Sequence, residues 1–156
     1  MTIKANIMSI WNELNIYIEV ASLTELENRL INPLSMLDEA VEYAFPSIVL
    51  GPNGPLLNSI FILTTSYLSE VRMHADKHEF DILHLKSVTD YKFEFWEQSI
   101  SGDDESTIAF QMATITLMHN VSGNFGTQIY YAGLNRSEWV NLVLKAIPLR
   151  LLLVNT

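Results

Sequence analysis

The chain reads as an α+β protein: N-terminal helices, then antiparallel strands, then a closing C-terminal helix. Three observations predict this class. Before Pro46, apolar residues recur at steps of three and four; after it, short β-branched and aromatic runs alternate with glycine- and proline-rich breaks; near the end, a capping-box spacing opens a second helical run. A length of 156 residues suits one globular domain, which at this size buries about 70% of its unfolded surface without staples.

Ile3, Ile7, Ile10, Leu14, Tyr17 and Ala21 fall on one helical face, so a long first helix is expected. Ser22 and Glu25 have capping-box spacing, with Leu23, Leu26 and Leu30 as the apolar side of a second start. Asn32-Pro33 then punctuates. Pro33 suits a first helical position, Asp38 and Glu39 complement the helix dipole, and Leu34, Leu37, Val41 and Phe45 share a face, so a helix is expected over 33–45. Past Pro46, Gly51-Pro52-Asn53-Gly54-Pro55 is the strongest turn signal in the chain. Strands are expected over 57–63, 67–73, 80–85, 91–97, 107–118 and 127–131, with loops at 101–106 and 122–126. Within 107–118, Ile108, Phe110 and Met112 are in one phase and Ile115 and Leu117 in the other, which requires a bulge, a tight turn or burial on both faces. Asn135 and Glu138 then introduce a helix of about three turns carrying Trp139, Val143 and Ile147, ended by Pro148.

Charge narrows the function classes. The chain has 18 Asp+Glu against 9 Lys+Arg, net -9, so neither nucleic acid nor direct membrane binding is expected, because each phosphate contact needs a cation. The imbalance is uneven: seven acids and two bases up to Pro46 give -5, and eleven acids and seven bases after it give -4. Absence of cysteine removes disulfides, thiolate metal sites and a cysteine nucleophile. The start lacks the continuous apolar core of a signal peptide, and the apolar stretches at 59–63 and 151–154 are too short to cross a bilayer, so a cytoplasmic location is the default expectation. Gly-x-Ser-x-Gly, Gly-x-Gly-x-x-Gly and the P-loop are missing, so no enzyme and no cofactor are expected.

Two segments carry a family resemblance. Ile60-Phe61-Ile62-Leu63-Thr64-Thr65-Ser66-Tyr67-Leu68 looks like the strand, turn and strand that open bacterial PH-like and GRAM-like domains, and Leu83-His84-Leu85-Lys86-Ser87-Val88-Thr89-Asp90-Tyr91 looks like their next loop and strand. Over about residues 47–147 the chain therefore resembles a PH-like antiparallel β-barrel closed by the Trp139 helix. The resemblance covers the barrel and its helix over 47–147; an acidic helical extension over 1–46 lies outside the family's core and an apolar tail follows over 148–156, so one domain in three parts is expected. Phosphoinositide-binding members of this family have basic residues in the first strand-to-strand loop, and 51–55 has none, so headgroup binding carries over to no residue. An NTF2-like or cystatin-like cone, with helices packed on a curved sheet, is the rival architecture.

The candidate sites reduce to binding surfaces. His74 and His78 flank Asp76, a metal-ligand set if the segment were a helical turn; in a hairpin connection it is a polar loop, and no metal site is assigned. Asp103, Asp104 and Glu105 lack a calcium-loop pattern and read as a solvated tip. Tyr91, Phe93 and Phe95 share one strand face and read as core, whereas Trp96, among charged neighbours, reads as an exposed anchor. Candidate partner-binding residues are Trp96, Leu151 and Leu152 of the apolar tail, and Glu13 and Glu19 of the acidic extension. The expected function is a non-catalytic module recognising a protein partner, a basic one in an inhibitor or immunity role. The alternative is small-molecule or lipid binding in the barrel interior or helix-sheet cleft. A homo-oligomer is compatible with either.

Overall fold

The computed structural model describes residues 28, 30, 35–36, 39–73, 78–101, 107–119 and 126–154. Along them run β1 (Tyr43–Gly51), β2 (Gly54–Leu63), β3 (Tyr67–Met73), β4 (His78–His84), β5 (Val88–Ser101), β6 (Thr107–His119), β7 (Thr127–Gly133) and α1 (Ser137–Val154). A 3-10 turn at Leu85–Ser87 joins β4 to β5. The strands form two antiparallel sheets in chain order, β1-β2-β3-β4 and β5-β6-β7. Turn chemistry sets the first hairpin: Gly51 pairs with Gly54 across Pro52-Asn53, and Gly54 sits at φ +127°, where a side chain is disfavoured.

The core lies between the sheets and under α1. Phe45 and Phe61, neighbours across β1 and β2, stack at 5.7 Å and join Leu63, Leu68, Ile115, Leu117 and Ile129 in one buried cluster. Ile60, Ile62 and Val71 alternate to the other face of the first sheet and are buried too, as is Leu30. Burial on both faces explains why Ile60–Leu63 is apolar without a break. The central strand β6 behaves alike. Its pairing with β5 and β7 is regular from Thr107 to Leu117, and Met112, Ala113, Thr114 and Ile115 are all buried, so its two apolar phases reflect two-sided burial rather than a bulge.

Helix α1 ties the two sheets together. Trp139, Val143, Ala146 and Ile147 form its buried stripe. Trp139 stacks on Tyr131 of β7 at 5.3 Å and donates its Nε1–H to the Pro46 carbonyl of β1 at 2.9 Å. The Tyr131 hydroxyl donates to the Asn135 carbonyl at 2.7 Å, and burial pushes its phenol above the ordinary tyrosine range. At the helix start the Asn135 side-chain oxygen accepts the Ser137 N–H at 3.0 Å, and Val140 N–H donates to the Arg136 carbonyl at 2.8 Å.

Several expectations are corrected. The PH-like or GRAM-like pattern of N-terminal helices and a closed barrel is not what forms: the sheets remain two, both open, and among the described residues the one extended helix is C-terminal. The chemistry of β1 accounts for one gap. Pro46 has no N–H to give a ladder, its carbonyl is taken by Trp139, and beside it a side chain substitutes for a strand pair, with Tyr130 N–H donating to Ser47 Oγ at 3.0 Å. At the other gap, the 3-10 turn at Leu85–Ser87 intervenes between β4 and β5. The helix expected over 33–45 gives way to β1 at Tyr43, where stacking of Phe45 on Phe61 outweighs its helical spacing, and Pro46 lies inside a strand instead of marking a boundary. The final helix does not stop at Pro148 but continues to Val154. The helix starts expected near Ile3 and Ser22 and the acidic tip at Asp103 lie outside the described residues. Among the described residues, no helix is long and apolar enough to cross a membrane.

Candidate functional site

Strand β5 is an edge. It pairs with β6 on one side only, and among the described residues no strand lies on its other side, which leaves alternate backbone N–H and C=O groups facing outward. Along this edge Tyr91, Phe95 and Trp96 are 43%, 48% and 42% exposed. The exposure of Tyr91 and Phe95 corrects their assignment to the core; Phe93 between them is half-buried against it. Tyr91 meets Phe93 edge-on at 5.3 Å and Phe93 stacks on Phe95 at 6.5 Å, so three rings form a continuous row. Arg136, from the turn before α1, closes the row: its guanidinium stands 5.2 Å from the Phe95 ring centre and donates through Nη1 to the carbonyls of Trp96 at 3.0 Å and Met112 at 3.2 Å. The opposite face of the strand carries Trp96, Lys92 and Glu94, the last two paired at 3.4 Å.

A second feature is a cleft of about 500 Å³ between β2–β4 and the β6–β7 end, lined by Phe61, Leu68, Glu70, Arg72, His119 and Tyr130 among others. Cross-strand register brings its charges together, because Glu70 faces Asp81 and Arg72 faces Glu79. Arg72 donates to Glu70 at 2.6 Å, to Glu79 at 3.2 Å and to Asp81, and Ser59 Oγ donates to Glu70 at 2.7 Å. Burial pulls the Arg72 pKa down, but Glu70, Asp81 and Glu79 outweigh it and hold the guanidinium above its ordinary value. Three carboxylates around one cation leave the cluster acidic. His119 Nε2 lies 3.3 Å from Thr127 Oγ1, and its buried Nδ1 has no hydrogen-bond partner among the described residues. Among the described residues no group of His, Cys, Asp and Glu could hold a metal ion.

The structure places the expected residues unequally. Trp96 is on the β5 edge; Leu151 and Leu152 are in the last turns of α1, far along the chain from it; Glu13 and Glu19 lie outside the described residues, as do His74 and Asp76. His84 is exposed and packs edge-on against Tyr67 at 4.6 Å. The ion cluster escaped sequence reasoning, although Glu70-x-Arg72 and Glu79-x-Asp81 flank a short connection in alternating phase, the signal from which it could have been found. No protein-family model, no curated protein and no solved structure matches the chain.

Proposed function

We propose that the chain is a non-catalytic binding module that recognises another protein chain, with the β5 edge as its docking site. The observation that carries this reading is the coincidence, on one open strand, of outward-facing backbone groups and the exposed rings of Tyr91, Phe95 and Trp96. Strand addition uses these two ingredients together: main-chain hydrogen bonds supply affinity and alternate side chains supply specificity. Aromatic residues are the type most enriched at interface hot spots. The net charge of -9 would steer a basic partner toward the chain; an inhibitor or immunity protein masking a basic enzyme is the form the role takes if β5 receives an unlike chain rather than a copy of its own. The test is affinity capture with the wild-type chain and with Trp96→Ala and Phe95→Ala. Loss of an aromatic anchor costs about 2 kcal/mol, or roughly 30-fold in affinity, so a partner held by the wild type should be lost from the variants while their melting temperatures barely move. Capture unchanged in both variants contradicts the docking site.

The cleft supports a second reading, a small polar ligand bearing positive charge, because its carboxylates outnumber its guanidinium. Native mass spectrometry of the purified protein tests it: a discrete added mass that disappears in Glu70→Gln supports the reading, and a bare chain in the presence of diamines speaks against it.

A further inference from the structure

We propose that the chain which docks on β5 is a second copy of this one, joined by antiparallel β5–β5 pairing with Phe93 on the two-fold axis, so that two three-stranded sheets become one of six. The inference rests on the reading of β5 as a docking edge and names its occupant.

An isologous contact sets the same surface against itself, so a strand that pairs with its own copy must be self-complementary. Antiparallel partners must also keep side chains of one face together, which restricts the axis to passing through one residue of the strand. Each choice can be read along Val88-Thr89-Asp90-Tyr91-Lys92-Phe93-Glu94-Phe95-Trp96-Glu97-Gln98. With the axis at Phe93, Lys92 of each copy faces Glu94 of the other, twice. On the opposite face, Phe93 meets Phe93 and Tyr91 meets Phe95, twice, so ring faces ring throughout. The remaining acids, Asp90 and Glu97, fall opposite Trp96 and Thr89, and no like charges meet.

Neighbouring registers lack this combination. An axis at Lys92 sets lysine against lysine and Asp90 against Glu94; one at Glu94 sets glutamate against glutamate. An axis at Tyr91 brings Asp90 to Lys92 but overlaps only Val88–Glu94 and places Phe93 opposite Thr89; one at Phe95 makes no opposite-charge pair. Directly opposed charges of opposite sign stabilise a strand pair and like charges destabilise it, as aromatic pairs also add to it. The side chains involved are available, since Lys92 and Glu94 are 60% and 51% exposed. Their existing contact along the strand would become one side of a square of alternating charges. Strand β4, the free edge of the other sheet, is half as long as β5, 7 residues against 14, and its inward side is committed to the Arg72 cluster.

Charge reversal tests both occupant and register. Molar mass is measured by light scattering and sedimentation across a concentration series for the full chain, for Lys92→Glu, for Glu94→Lys, for the double variant, and for a mixture of the two single variants. The wild type should be a dimer at high concentration. Each single variant sets like charge against like and should weaken dimerisation at least tenfold; the double variant restores both pairs and should dimerise again. The mixture should form a one-to-one heterodimer, because every lysine at positions 92 and 94 of one copy then faces a glutamate of the other. A wild-type chain that stays monomeric throughout, or a dimer indifferent to all these changes, overturns the proposal. Monomeric behaviour together with partner capture that depends on Trp96 overturns the second copy as occupant and leaves the docking edge standing.

Discussion

At the residue scale, single groups decide where the sheets stop. Pro46 lacks a donor and gives its carbonyl to Trp139, so β1 ends its sheet on the side that faces β7. The end of the cleft depends in the same way on Gly126, whose φ of +142° disfavours any side chain and where a Cβ would come within 2.6 Å of the Leu117 carbonyl. Gly126→Ala should therefore destabilise the fold by about 1–3 kcal/mol, the usual cost of a strained backbone position, read from the midpoint of denaturant unfolding. Such positions were only partly legible in the sequence. Gly51 to Pro55 announced a turn through composition alone, but the role of Pro46 depends on Trp139, distant in the chain, and became visible only with the fold.

At the element scale, local pattern and tertiary contact divide the work. Strands β2 to β7 were legible because their β-branched and aromatic runs are bounded by turn residues. β1 was not, because Val41 and Phe45 continue a helical spacing and a short apolar run fits either element until its neighbour is known; stacking of Phe45 on Phe61 settles it. The ion cluster depends likewise on register, since Glu70, Arg72, Glu79 and Asp81 meet only once β3 pairs with β4. Arg72→Leu leaves three carboxylates together without their cation. It should cost about 1–3 kcal/mol, the scale of lost charge-assisted hydrogen bonds, and added salt should recover part of the loss by screening the acids. Thermal melts of wild type and variant at low and high ionic strength check both parts.

At the scale of the whole molecule, leaving the sheets open has a consequence for assembly. A closed barrel has no free strand, whereas here β5 presents a long, ring-bearing edge that natural proteins usually cover, shorten or charge. Its acids and its Lys92 amount to a partial guard, one that excludes most registers and admits the pairing centred on Phe93. Fold class was harder to read than individual strands because barrel closure rests on pairings between segments far apart in sequence, β1 with β7 above all, and nothing local reports whether they form. Amide hydrogen exchange measured against protein concentration tests the pairing of β5 with its copy most directly. Protection of the outward-facing β5 amides should rise with concentration, and that rise should be absent in Lys92→Glu, while the amides bonded to β6 stay protected in both; outward-facing amides that exchange equally fast at every concentration would contradict it.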